Sequence, residues 1–250
     1  DAAYRAANLS PSHLVTTEKI ARETTELGQY DYFFASNPEV EKSLTALGVP
    51  RARILATSFG WSPARVDRYD SARRIEDGKT RFLFIGSLSV RKGVPELLRA
   101  WRDAAIDGEL VLAGQSDPEL ASVVSRLSTA SVQVLGFVSD IGALLSSADV
   151  FIFPTHEEGG PQVTYEAAGA GLPIITTPMG AARLVNDGSS GLIVPAGSIS
   201  DLVSSIRLLH EQPDLRRTYG HAAKEASARF TYDMVGLGRA EQLRRLLAFR

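Results

Sequence analysis

From Thr80 onward the chain carries six short apolar runs that do not alternate with polar residues: Phe82–Ile85, Leu110–Ala113, Val132–Leu135, Val150–Phe153, Ile174–Thr176 and Leu192–Val194. A strand with one wet face alternates. A strand buried on both faces does not, which is the condition of a parallel sheet covered by helices on each side. The intervening segments fit that cover, since Pro95–Ala105, Pro118–Leu127, Ile141–Ser146, Val163–Ala170 and Ile199–Glu211 read as helices. Pro95 and Pro118 stand where a first-turn proline is tolerated, because the N–H it lacks has no helical partner there. The alternation predicts a doubly wound α/β domain over residues 79–230. Such a domain binds ligands beyond the carboxyl ends of its strands.

The flanks are thinner. Residues 1–60 hold a helix near Pro11–Leu27, a strand at Tyr32–Ala35, a helix from Pro38 to Leu47 stopped by Gly48, and a strand at Ile54–Ala56. That is too little sheet for a domain and reads as the tail end of one. Residues 61–78 (WSPARVDRYDSARRIEDG) are polar and without apolar period, as in a linker. Helices at Asp214–Arg229 and Met234–Phe249 close the chain. The last sets Leu237, Leu243, Leu246 and Leu247 against Arg239, Arg244, Arg245 and Arg250. Such a face usually docks onto protein, and it also leaves open peripheral contact with an anionic membrane. The chain starts at Asp1 and reads as a processed product or a fragment.

Composition removes several functions. A net charge of −2 and 44% hydrophobic residues describe an ordinary globular chain, with no basic excess for nucleic acid. Four scattered histidines and no cysteine give no metal-ligand spacing. No apolar run approaches roughly 20 residues, the length that spans a bilayer. The expectation is a cytoplasmic protein without metal or cofactor.

Two segments carry chemistry. In EGGPQVTYEAAGAGLPIIT, from Glu158 to Thr176, a Gly159-Gly160-Pro161 turn leads into a helix between Glu158 and Glu166. Backbone N–H groups and the positive helix end suit a phosphate, while the carboxylates accept from sugar hydroxyls. In IGSLSVRKGVPELLRAW, from Ile85 to Trp101, a strand, the loop Gly86-Ser87 to Arg91-Lys92-Gly93, and a helix follow in the order of a phosphate-binding turn. It has neither Walker nor G-x-G-x-x-G spacing, which argues against a dinucleotide. Tyr165, Phe137 and Trp101 read as core, and Asp140 as the cap of the helix at Ile141.

Taken together, GSLSVRKG, EGGPQVTYEAAGAGLPII and NDGSSGLIVP resemble glycosyltransferase family 4, retaining enzymes of GT-B fold. The resemblance runs from Asp31 to the C-terminus, with YDYFFASNPEVEKSLTALGVPRARILATSFG similar to the end of the family's N-terminal domain. It implies a nucleotide-diphosphate sugar as donor, metal-free hexosyl transfer and an unidentified acceptor. Lys92 would hold the diphosphate and offset the leaving group's charge, and Glu158 would face the donor sugar. Glu166 would take the ribose hydroxyls, and the amides of Gly159 and Gly160 would lie near sugar and phosphate. Gly136, Phe137 and Val138 would pass the base, with Gly86, Ser87, Arg91, His156, Pro161, Gln162 and Val163 completing the donor site.

The match departs in three places. Ser87 stands where many members have a phosphate-binding arginine, for which Arg91 is the candidate substitute. Gly180-Ala181-Ala182-Arg183 lacks a glutamate often found there. Most of the acceptor-side half is missing, and with it a histidine near the reacting sugar, which His13 does not match. The chain alone is therefore expected to transfer poorly or not at all, and the last helix to return toward the missing half. A GT-B sugar-nucleotide isomerase and a non-catalytic nucleotide-binding module stay open as other classes.

Overall fold

A computed structural model describes residues 2–11, 15–66 and 78–248. The small unit runs α1 (Ala2–Ala6), α2 (Thr17–Leu27), β1 (Phe33–Ala35), α3 (Pro38–Ala46) and β2 (Ile54–Ala56). The large unit follows with β3 (Thr80–Ile85), α4 (Val94–Ala104), β4 (Gly108–Ala113), α5 (Ala121–Leu127), β5 (Val132–Gly136), α6 (Ile141–Ser147) and β6 (Val150–Phe153). It continues through α7 (Gln162–Gly169), β7 (Ile174–Thr176), α8 (Pro178–Ala181), β8 (Gly191–Ile193), α9 (Ile199–Glu211), α10 (Pro213–Ser227) and α11 (Tyr232–Ala248). His13, residues 67–77 of the expected linker, and Phe249 and Arg250 lie outside the described residues.

The large sheet is parallel throughout, in the order β5-β4-β3-β6-β7-β8. The chain therefore works outward from β3 on one side, then returns to β6 and works outward on the other. Between β3 and β6 the connections diverge and leave a crevice at the carboxyl ends. Phe82, Phe84, Phe151, Phe153, Ile174 and Ile175 are fully buried between the helical layers, as runs without alternation require. Trp101 packs edge-on to Phe82 at 5.3 Å.

Four expectations need correction. β5 is an edge strand with Val134 44% exposed, so its run is not buried on both faces. Pro118 lies in the turn ahead of α5 and not within it. Asp140 holds the N-cap position of α6 but its side chain makes no capping hydrogen bond. Phe137 is 74% exposed beyond β5 and belongs to no core.

The small unit is not one body. Tyr4 and Ala7 are buried in the core of the large unit, with Tyr4 donating to Glu119 at 3.0 Å. β1 and β2 form a separate parallel pair. α11 buries no residue, yet its Arg239 donates to Thr57 Oγ1 at 2.9 Å and Ser58 O at 2.7 Å, and Gln242 to Ala56 O at 2.9 Å. The last helix thus returns to the small sheet. The opening residues of the expected linker are packed: Trp61 is buried and donates through Nε1 to Ser227 O at 2.9 Å.

Candidate functional site

Two loops meet at the crevice. The first, residues 86–93, leaves β3 and enters α4; the second, residues 154–161, leaves β6 and enters α7. Gly93 makes their approach possible. It is left-handed (φ 71°), and a Cβ there would lie 2.1 Å from Pro154 O, so only glycine lets the loops touch. Two hydrogen bonds then clamp the pair, His156 N to Arg91 O (2.9 Å) and Thr155 Oγ1 to Arg91 O (3.3 Å), and Thr177 Oγ1, beyond β7, donates to Thr155 O at 2.6 Å.

Lys92 and Glu158 form an ion pair across this junction, their side chains only 11% and 12% exposed. Lys92 Nζ also stands 5.5 Å from the centre of the Phe153 ring. So little water reaches the ammonium that its charge is weakly screened, the condition for holding an anion firmly. On the first turn of α4, Glu96 is buried and lies 3.3 Å from His156 Nε2, behind the loop that carries Glu158.

Glu166 stands on α7, its side chain 4% exposed. Arg65 Nη1 donates to its Oε1 at 2.5 Å and Gln162 Nε2 to the same oxygen at 3.2 Å. Burial pushes its carboxyl above the usual range, with Arg65 and Gln162 pulling the other way. Gly159 and Gly160 sit between the glutamates. At Gly160 a Cβ would strike the Phe59 ring at 1.8 Å, which brings the small unit against the turn. Gln162 N bonds Gly160 O (2.9 Å) and Thr164 N bonds Pro161 O (3.0 Å), so the turn is braced by its own backbone. Val163 is half-buried, and Pro161 is buried.

Gly86 and Ser87 are half-buried at the end of β3. Arg91 is exposed and its guanidinium bonds no described residue; the loop uses its carbonyl instead. Gly136 (φ 69°) ends β5 and Phe137 follows it, with its side chain exposed.

Sequence reasoning missed four contributors. Asn37, read only as a helix opener, caps α3 through Glu39 N (3.0 Å) and also donates to Met179 O (2.7 Å) and to Glu158 O at the 3.5 Å limit. Ser36 donates to Gly159 O at 2.5 Å. Arg183 pairs with Glu41 and donates to Thr57 O at 2.6 Å, tying the small sheet to the large unit. Arg65 fell in the segment read as linker. A separate cavity of about 380 Å³ lies at the other end of the sheet, lined by Asp149, Pro173 and the Arg216–Lys224 face of α10. It shares no residue with the crevice.

Solved structures share this fold. Sucrose-phosphate synthase from Thermosynechococcus elongatus superposes with a TM-score of 0.81 at 22% identity, covering 98% of this chain and 66% of its own. The Anabaena protein HepE, solved with UDP and glucose, gives 0.78 at 20% identity, covering 94% and 68%. Both are GT-B glycosyltransferases, and that is the fold class of this chain. The family model for glycosyl transferases group 1 matches residues 79–212, and the chain belongs to that family. Among curated relatives, phosphatidyl-myo-inositol mannosyltransferase of Mycobacterium leprae is 33% identical over 168 residues, which is 63% of this chain and 44% of that protein. The chain spans less than half the length of that relative.

Proposed function

We propose that the crevice binds the nucleoside diphosphate of an activated sugar, and that the whole protein transfers the sugar to an acceptor hydroxyl with retention and without metal. The observation that carries this reading is the buried Lys92–Glu158 pair at the strand-order switch, with Glu166 beside it. In the reaction the bond between the anomeric carbon and the diphosphate breaks, and its electron pair stays on the phosphate oxygen. The acceptor oxygen bonds the same carbon on the same face and passes its proton to the departing phosphate oxygen. Lys92 offsets the growing diphosphate charge, a stabilisation worth most where water is excluded. Glu158 exchanges its lysine for hydroxyls of the donor sugar. Glu166 holds the ribose, and the base passes Gly136, Phe137 and Val138. The UDP and glucose held by HepE put uridine first among bases to try.

The test is product analysis of the chain supplied with the acceptor-side half of its protein and labelled UDP-, GDP- and ADP-sugars. Released nucleoside diphosphate with a sugar product of unchanged anomeric configuration is the expected result. Interconversion of free nucleotide sugars would make the protein an isomerase, and loss of neither substrate would make it a binding module.

A further inference from the structure

Glu166 is a buried carboxylate whose protein donors are unevenly placed. Arg65 Nη1 and Gln162 Nε2 both reach Oε1, and no described residue donates to Oε2. A carboxylate accepts at both oxygens, so Oε2 keeps its full accepting capacity for a ligand. Arg65 is not a casual neighbour. It ends a short 3-10 turn, Pro63–Arg65, that follows the anchored Trp61. The Trp61 ring lies where a Cβ on Gly169 would meet it at 2.3 Å, so the segment is seated directly on α7 beside Glu166.

Resting on the donor-site reading above, we infer that Arg65 is a positioning residue for Glu166. It holds Oε1, keeps the carboxylate in its accepting form and leaves Oε2 for the ribose hydroxyls. Without it, burial would favour the protonated acid, which accepts more weakly and offers a donor in place of a lone pair. A guanidinium is suited to this, since it stays charged while partly hydrated. The role is local to the sugar end of the nucleotide, because the contact is made to Glu166 and not to Lys92.

The experiment is calorimetric titration of the whole chain with UDP, GDP and ADP and with their 2′-deoxy counterparts, for the parent, Arg65→Met, Arg65→Lys, Glu166→Gln and the Arg65→Met/Glu166→Gln double variant. The parent should prefer the ribose form. Arg65→Met should cut that preference about tenfold, the scale of a hydrogen bond to a charged group. Arg65→Lys should keep part of it, and the double variant should match Glu166→Gln. Equal losses for ribose and deoxyribose forms would reduce Arg65 to a structural support and overturn the inference. So would tighter ribose binding in Arg65→Met, which would make Arg65 a competitor, or an unchanged preference. A parent that binds every nucleotide without ribose preference overturns it through Glu166. A parent that binds none overturns the donor-site reading itself, and this inference with it.

Discussion

Glu166 opposes folding while it equips the site. Its carboxyl is pushed above the ordinary range by burial, and Arg65 and Gln162 only offset this in part. The sign follows from linkage: the native state holds that proton more tightly than the unfolded chain does. The associated stability is present below the unfolded carboxylate pKa and is lost as pH rises through the raised native value. Above that value the ionised, buried carboxylate is a burden, of the kind functional sites tolerate. Glu166→Gln should melt at or above the parent temperature at neutral pH, and the gap should close on acidification below the ordinary carboxylate range. Thermal melts across that range check this, and a variant clearly less stable at neutral pH would contradict it. Lys92, Glu158 and Glu166 were legible because spacing and neighbours marked them. Arg65 was not, because a charged residue in a polar stretch looks like solvated linker until Trp61 is seen to anchor it.

At the scale of elements, the loop between β6 and α7 is held by small polar side chains. Thr177 Oγ1 serves twice, donating to Thr155 O at 2.6 Å and accepting from Gly180 N at 3.4 Å. Both threonines are fully buried. Thr177→Val keeps the shape and strands the Thr155 carbonyl, so urea unfolding should show a loss of about 1–3 kcal/mol. Nucleotide affinity should fall as well, since the freed loop carries Glu158. Unchanged stability would mean that the clamp carries no weight. The strand assignments held because short apolar runs between helices leave few alternatives. Errors fell where tertiary context decides. Nothing in Val132–Leu135 says that its strand lies at an edge, and Phe137, judged as core from residue type, is exposed for that reason. The contacts of Asn37 and Ser36 with the β6–α7 loop join residues more than a hundred positions apart, which no local pattern encodes.

For the whole molecule, the small sheet is fastened to the large unit by Arg183 and to the last helix, α11, by Arg239 and Gln242. The crevice is closed on one side by this junction, since Ser36, Asn37, Phe59 and Arg65 all come from the amino-terminal side. None of the described helices is long and apolar enough to cross a membrane. Leu237, Leu243 and Leu247 of α11 are exposed. The large unit with these attachments should suffice to hold a nucleoside diphosphate, even where sugar transfer needs the rest of the protein. Calorimetric titration of the chain with UDP, GDP and ADP tests it most directly. Saturable binding of at least one of them is expected, weakened about tenfold or more in Lys92→Ala, the scale of losing a charge-assisted contact. No binding of any at millimolar concentration, or the same affinity in Lys92→Ala, would contradict it.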